Sequence, residues 1–315
     1  MSLDPNTARA PASGFSPAPV AERIAERIVG REAELELVLA AVETGRDLIL
    51  EGPPGTSKTT ILRAITTEWG IPLVFVEGNA ELTPGRLLGH HNPARVLQEG
   101  YSPDTFSPGP LVEAMQRGAF LHFEEFNRAP EDTLNTLLTA IADREVTISR
   151  VGTIQAAPTF RLVASMNPYD NVGTNRLSAS IRDRLCRISV EYQDAEAERD
   201  VVVLRTAAEP GLLSTRIVSD AVGLTRRTRA HEHVRQGSSV RGAIDLTLLA
   251  GELARRRGLD DPADDRYPRT LFDAMIVALS GRLVVDESSG LDAEAILRQI
   301  WEDHFVLDPA IAEPG

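Results

Sequence analysis

The stretch Asp47-Leu48-Ile49-Leu50-Glu51, followed by Gly52-Pro53-Pro54-Gly55-Thr56-Ser57-Lys58-Thr59, constrains this chain more than any other. A short apolar run enters a glycine-rich loop, and Thr59-Thr60-Ile61-Leu62-Arg63-Ala64-Ile65 leaves it with the apolar spacing of a helix. Strand, loop and helix in that order are what a phosphate cradle needs, because backbone N–H groups and a helix N-terminus must face one anion. The loop follows the pattern G-x-x-x-x-G-K and Ser or Thr with one departure: Ser57 stands where the second glycine is usual. If that position requires positive φ or has no room for Cβ, serine is a liability. If it lies at the first helical turn with ordinary α geometry, serine is tolerated and can help cap the helix. In a nucleotide loop, Gly52, Pro53, Pro54, Gly55, Thr56, Ser57 and Thr60 enclose the phosphates. Lys58 reaches the β- and γ-phosphates, and Thr59 binds Mg²⁺. Taken alone, the segment also reads as a tight turn.

Further strands are predicted at 72–76, 119–123 and 160–165, with a helix at 131–142 and a short hairpin at 145–157. Strands alternating with helices imply a parallel α/β sheet covered on both faces. Residues 81–110 are rich in Pro, Gly and His without a sustained period; thirty residues of plain loop are unusual, so an insertion with a function is expected there. From about Ala195 amphipathic helices replace strands. The expected organisation is a disordered leader over 1–18, an α/β nucleotide-binding domain over 19–198, a smaller all-α lid domain over 199–285, and a C-terminal helix and tail over 286–315.

The third strand ends on Glu124 and Glu125, two adjacent carboxylates after an apolar run. Phosphoryl transfer to water uses one carboxylate near the Mg²⁺ shell and another to orient the attacking water. The C-terminal edge of a parallel strand can present both. The usual pair is Asp-Glu, so Glu124 is one methylene longer than expected. Asn167, at the end of the fourth strand, can hold the water between Glu125 and the γ-phosphate. Read alone, with Pro168 after it, it is a turn former.

Composition narrows the partners. The net charge of −13 opposes a generic duplex-DNA surface, so no nucleic acid partner is expected. The one cysteine, Cys186, excludes an intrachain disulfide and reads as a small core residue. No run is long enough to span a bilayer and the N-terminus lacks a signal-peptide pattern, which makes cytoplasmic the default with no membrane insertion. Arg226, Arg227 and Arg229, and the run Arg255 to Arg257, read as helix-end or solvated charges. His90-His91 and the pair His231 and His233 read as surface histidines.

GPPGTSKT, FEEFNRAP and ASMNP, in this order and spacing, resemble the AAA+ ATPases, and the MoxR branch in particular. Leu82 to Gly89, Phe106 to Leu111 and Asn127 to Pro130 are similar to further segments of that branch. Asn175 to Ile188 resembles its Asp-Arg-Phe region, with Leu185 in place of the aromatic residue. The resemblance covers roughly 20–285. It implies a Mg²⁺-dependent ATPase that assembles as a homo-oligomeric ring, a hexamer. Such rings act as chaperone-like remodellers beside a von Willebrand factor A domain partner and a client enzyme. It implies that Asn167 is the first sensor, that Arg184 or Arg182 reaches a neighbouring subunit's γ-phosphate, and that Arg241 in Gly237-Ser238-Ser239-Val240-Arg241-Gly242 is the second sensor. Arg176 and Arg187 cannot be separated from these by sequence. The insertion at 81–110 would then face the pore or a partner. Serine at 57 is a mild departure in this branch, and Glu124 implies weaker Mg²⁺ positioning and slow hydrolysis. A nucleotide-gated scaffold without hydrolysis and a DNA-remodelling motor are the other readings.

Overall fold

The computed structural model describes Ile24 and residues 28–168, 177–208 and 210–306. The leader, the tail beyond 306 and Arg176 lie outside the described residues. Two compact units divide between Glu191 and Tyr192.

The first unit begins with helix α1 (Glu32–Glu43), which buries Leu35, Val38, Leu39 and Val42 at helical spacing. Strand β1 (Leu48–Glu51) leads through the glycine loop into α2 (Lys58–Trp69), which buries Ile61, Leu62 and Ile65 and stops at Gly70 with φ 62°. Strands β2 (Leu73–Glu77), β5 (Phe120–Glu124), β8 (Arg161–Met166) and β9 (Cys186–Ser189) complete a five-stranded sheet in the order β2-β5-β8-β1-β9. Every neighbouring pair is parallel.

Alternating side chains of these strands supply two cores, one on each face. Leu121, Phe123, Leu162 and Ala164 join α5 (Pro110–Arg117) and α6 (Glu131–Asp143) on one side. Phe120, Val163, Leu48 and Leu50 meet α1 and α2 on the other. Each fully buried Leu or Phe contributes about 1.5–3 kcal/mol relative to exposure, so the sheet is a firm base for whatever its edge carries.

Two features add to what the sequence shows. First, segment 81–110, where no sustained period is legible, folds into short regular elements. It holds α3 (Pro84–Leu88), β3 (Gly89–His91), α4 (Pro93–Glu99) and β4 (Phe106–Pro108), with β3 and β4 antiparallel and α4 between them. Thr83 and Asn92 cap the two helices through Arg86 N, Ala94 N and Arg95 N. The β6–β7 hairpin (Glu145–Ile148, Gly152–Gln155) has the expected place before β8. Second, β9 is a strand absent from the sequence reading, since its inward positions are few: of Cys186 to Ser189 only Ile188 is buried. Cys186 is exposed on this edge strand and is not the core residue that its apolar neighbours suggest.

The second unit is helical: α8 (Ala195–Thr206), α9 (Leu212–Ala230), α10 (Val240–Arg257), α11 (Tyr267–Leu279) and α12 (Ala293–Phe305), with a two-stranded pair β10 (Val234–Gln236) and β11 (Val284–Val285). Buried Asp220 accepts from Arg216 Nε (2.7 Å), the Tyr267 hydroxyl (2.8 Å) and His304 Nε2 (3.0 Å). Burial alone would raise its pKa, but the bonds from His304, Arg216 and Tyr267 outweigh it and hold the carboxyl below its ordinary value. Arg226 and Arg229 are not solvated charges: both donate to the buried Glu198, at 3.1 and 2.7 Å. Arg255 to Arg257 end α10, where Glu252 and Asp273 receive them. Among the described residues no helix is long and apolar enough to cross a membrane.

Candidate functional site

Parallel register puts the C-terminal ends of β1, β5 and β8 at one edge of the sheet: Glu51 pairs with Met166, and Glu77 with Glu124. The sheet order also makes β1 a crossover point, with β8 and β9 as its neighbours, and ligands bind α/β sheets outside the strand ends at such points. Four of the predicted elements meet there: the loop, the two glutamates and Asn167.

The loop is anchored by its first glycine. Gly52 N donates to Met166 O (3.2 Å), the residue before Asn167. A Cβ on Gly52 would lie 2.0 Å from Val190 O, which continues β9, so glycine is required here by close approach of backbone. Thr56 Oγ1 donates to Pro53 O (2.9 Å), closing the turn. Lys58 Nζ lies over the loop, donating to Gly52 O (2.9 Å) and Pro53 O (2.8 Å) and to Thr56 Oγ1 (3.2 Å). Gly55 has φ 75° and Ser57 φ 66°. Left-handed residues interleaved in a turn build concavities of N–H groups that hold anions.

Ser57 therefore sits at a position that does require positive φ. The alternative of ordinary α geometry does not hold, and its side chain makes no cap hydrogen bond to α2. Serine at φ 66° is strained by roughly 1–2 kcal/mol, a cost glycine would not carry.

Thr59 and Glu124 meet as the metal-binding reading requires: Thr59 Oγ1 donates to Glu124 Oε1 at 3.2 Å. The extra methylene of glutamate lets the carboxylate at the end of β5 reach across to the first turn of α2. A hydroxyl and a carboxylate facing each other beside a phosphate loop are hard oxygen donors that fit Mg²⁺. Glu125 follows with φ 52° and ψ 44°, a left-handed turn that swings it off the strand. Its Oε2 lies 3.0 Å from Arg128 Nε.

Two residues that position this edge were not singled out by sequence. Gly78, after β2, donates N–H to Glu124 O (2.8 Å), and a Cβ there would lie 2.2 Å from Glu125 O. Asn127 is buried and its Nδ2 donates to Asn167 O (3.4 Å), tying the turn after β5 to the sensor position. Asn127 was legible as part of FNRAP; Gly78 carried no signal, since its need comes from a neighbouring strand.

Behind the site, fully buried His122 bonds Ser165 Oγ through Nε2 (3.3 Å). Burial, then the charges of Arg63 and Lys58, pushes its pKa down to about 4, so the ring is neutral near pH 7.

Helix α7 (Ala179–Arg184) carries Arg182 and Arg184, both exposed; Arg184 Nη1 donates to Ser180 O (3.0 Å) and Oγ (2.9 Å). Arg187 is held by Glu51 at the end of β1. Arg241 belongs to the second unit, exposed in the first turn of α10 under its cap Ser239.

Residues 47–185 match the family model of the AAA domain, dynein-related subfamily. A Staphylococcus epidermidis protein, SERP0979, is 26% identical over 244 residues, spanning 75% of this chain and 92% of its own length. YojN of Bacillus subtilis is 27% identical over 238 residues, 73% of this chain and 77% of its own; both relatives are uncharacterized. Among solved structures, the Thermotoga maritima Holliday junction branch migration motor RuvB is 20% identical with a TM-score of 0.51, covering 84% of this chain and 72% of its own. A variant of the same protein superposes with a TM-score of 0.55 at 19% identity, covering 87% and 76%. The fold is that of the AAA+ P-loop ATPases: a parallel five-stranded sheet with helices on both faces and a helical C-terminal unit. The domain match and this fold support nucleotide-dependent ATPase activity.

Proposed function

We propose that this chain, with an AAA domain over residues 47–185, is a Mg²⁺-dependent ATPase of the MoxR branch that works as a homo-oligomeric ring, a hexamer. The observation that carries the chemistry is the Thr59–Glu124 contact of 3.2 Å beside Glu125, at the strand edge where the loop and Asn167 also end. Gly52 to Thr60 enclose the phosphates, with Lys58 turning from the loop carbonyls to the β- and γ-phosphates. Bound Mg²⁺ supplies charge neutralisation of the phosphate oxygens. Glu125 accepts a hydrogen bond from the attacking water and draws its proton as the oxygen closes on the γ-phosphorus and the bond to the β-phosphate oxygen breaks, ADP leaving; Asn167 holds that water from the β8 side. Arg184, or Arg182 beside it, completes the site of a neighbouring subunit, and Arg241 contacts nucleotide from the second unit.

The ring acts in the cytoplasm as a chaperone-like remodeller, with a von Willebrand factor A domain partner, in maturing or loading a client enzyme. The ordered insertion at 81–110, with exposed Leu97 and Tyr101, offers the surface for such contacts. In assembled rings, Glu125→Gln should bind ATP and abolish turnover, losing about 10²-fold or more. Unchanged hydrolysis in that variant sinks the assignment. Absence of turnover in the wild-type ring favours a nucleotide-gated scaffold.

A further inference from the structure

One charged side chain touches the carboxylate of Glu125. Strand β5 ends at Glu124, and Glu125 turns off it in the left-handed region, at φ 52° and ψ 44°. The 3₁₀ turn that follows, Phe126–Arg128, brings Arg128 back alongside. Arg128 N donates to Glu125 O (2.9 Å), and Arg128 Nε lies 3.0 Å from Glu125 Oε2. The turn is tied to β8 by buried Asn127, whose Nδ2 donates to Asn167 O. The place of Arg128 is therefore fixed by the same backbone that carries Glu125 and Asn167.

The two oxygens of Glu125 are not equivalent. Oε2 is buried and accepts no hydrogen bond, so the adjacent guanidinium charge is what offsets its desolvation. Oε1 is neither bonded nor buried, and the side chain keeps 35% of its surface exposed. No other side chain among the described residues forms a hydrogen bond or ion pair with this carboxylate. Stability gives little reason for the pair, because a partly exposed ion pair three residues apart contributes little to folding.

A glutamate side chain turns about three bonds, and a base acts only within hydrogen-bond reach of the proton it takes. Catalysis of phosphoryl transfer is mostly positioning, so a carboxylate held by one oxygen serves better than a free one. A planar guanidinium does this more rigidly than an ammonium on a flexible stem. We infer that Arg128 is a positioning residue for hydrolysis, pinning Oε2 of Glu125 so that Oε1 is presented to the attacking water. Oε1 then takes the proton of that water as its oxygen bonds to the γ-phosphorus and the bond to the β-phosphate oxygen breaks, leaving ADP and phosphate. This rests on the proposed role of Glu125 and adds the group that orients it.

The test compares the full chain, Arg128→Ala, Arg128→Lys, Glu125→Gln and the double variant, all as assembled rings with saturating ATP and Mg²⁺. Arg128→Ala should lower kcat at least about tenfold while KM and the Kd for ATP stay within about twofold. Arg128→Lys should fall between it and the parent. Methylguanidinium at millimolar concentration should restore part of the turnover of Arg128→Ala and none of that of Glu125→Gln, a rescue that a purely structural arginine would not show. Added to Glu125→Gln, Arg128→Ala should cost nothing more, since the carboxylate it serves is gone. No turnover in the parent, or parental turnover in Glu125→Gln, refutes the reading of Glu125 and this inference with it. With Glu125→Gln inactive, three results overturn the inference alone: parental kcat in Arg128→Ala, a loss that neither methylguanidinium nor lysine relieves, or a loss that accompanies disassembly of the ring.

Discussion

Ser57→Gly is the substitution on which the geometry of the glycine loop makes its clearest demand. Serine occupies the left-handed region there, at φ 66° and ψ 15°. A residue with a Cβ carries roughly 1–2 kcal/mol of strain in that region, and glycine carries none. The hydroxyl makes no cap hydrogen bond, so nothing is lost on that account. Against the relief stands the extra freedom of glycine in the unfolded chain, roughly 0.4–1 kcal/mol. The net expectation is a gain of about 0.5–1 kcal/mol. Ser57→Ala is the control, because alanine keeps the Cβ and hence the strain, and should leave stability close to wild type. With two tryptophans in the chain, Trp69 at the end of α2 and Trp301 in the second unit, a Trp301→Phe background makes Trp69 the reporter of the first unit. Urea unfolding followed by its fluorescence then reads the change where it occurs. Nucleotide affinity should stay within a few-fold, since the backbone N–H keeps its direction. Equal stabilisation by alanine and glycine, or none by glycine, would refute the strain argument.

Two further outcomes follow from the same edge of the sheet. His122 titrates near 4 when folded and near 6.5 when unfolded, so the unfolded chain takes up the extra proton between those values. Its contribution is complete above pH 6.5 and is lost as pH falls toward 4, about 3 kcal/mol at about 1.36 kcal/mol per pKa unit. His122→Leu should flatten the pH dependence of the Trp69 unfolding curve by that amount between pH 7 and 4, and an unaltered slope would count against it. If Glu125 holds the attacking water as proposed, Gly78→Ala should cut ATP turnover at least about tenfold while nucleotide affinity changes little, because its methyl meets Glu125 O at 2.2 Å and displaces that residue. Wild-type turnover would mean that the end of β5 yields without cost.

The order of elements was legible in the sequence because apolar periodicity and glycine placement are local. The strand before the loop, the helix after it, the carboxylates closing β5 and the hairpin before β8 all follow from runs of fewer than fifteen residues. What each residue must tolerate was not local. Ser57 reads as mild until the chain is seen turning left-handed beneath it. Gly52 and Gly78 are glycines because Val190 and Glu125, distant in sequence, bring carbonyls against them. Strand β9 and the exposure of Cys186 depend on parallel pairing with β1, which leaves an edge strand only one buried position to signal itself. Arginines 226, 227 and 229 look like surface charge in one dimension, and only the packing of α8 and α12 against α9 turns them inward. Sequence determined which chemistry the chain could assemble. Long-range backbone approach, which no local pattern encodes, decided the geometry in which that chemistry is held.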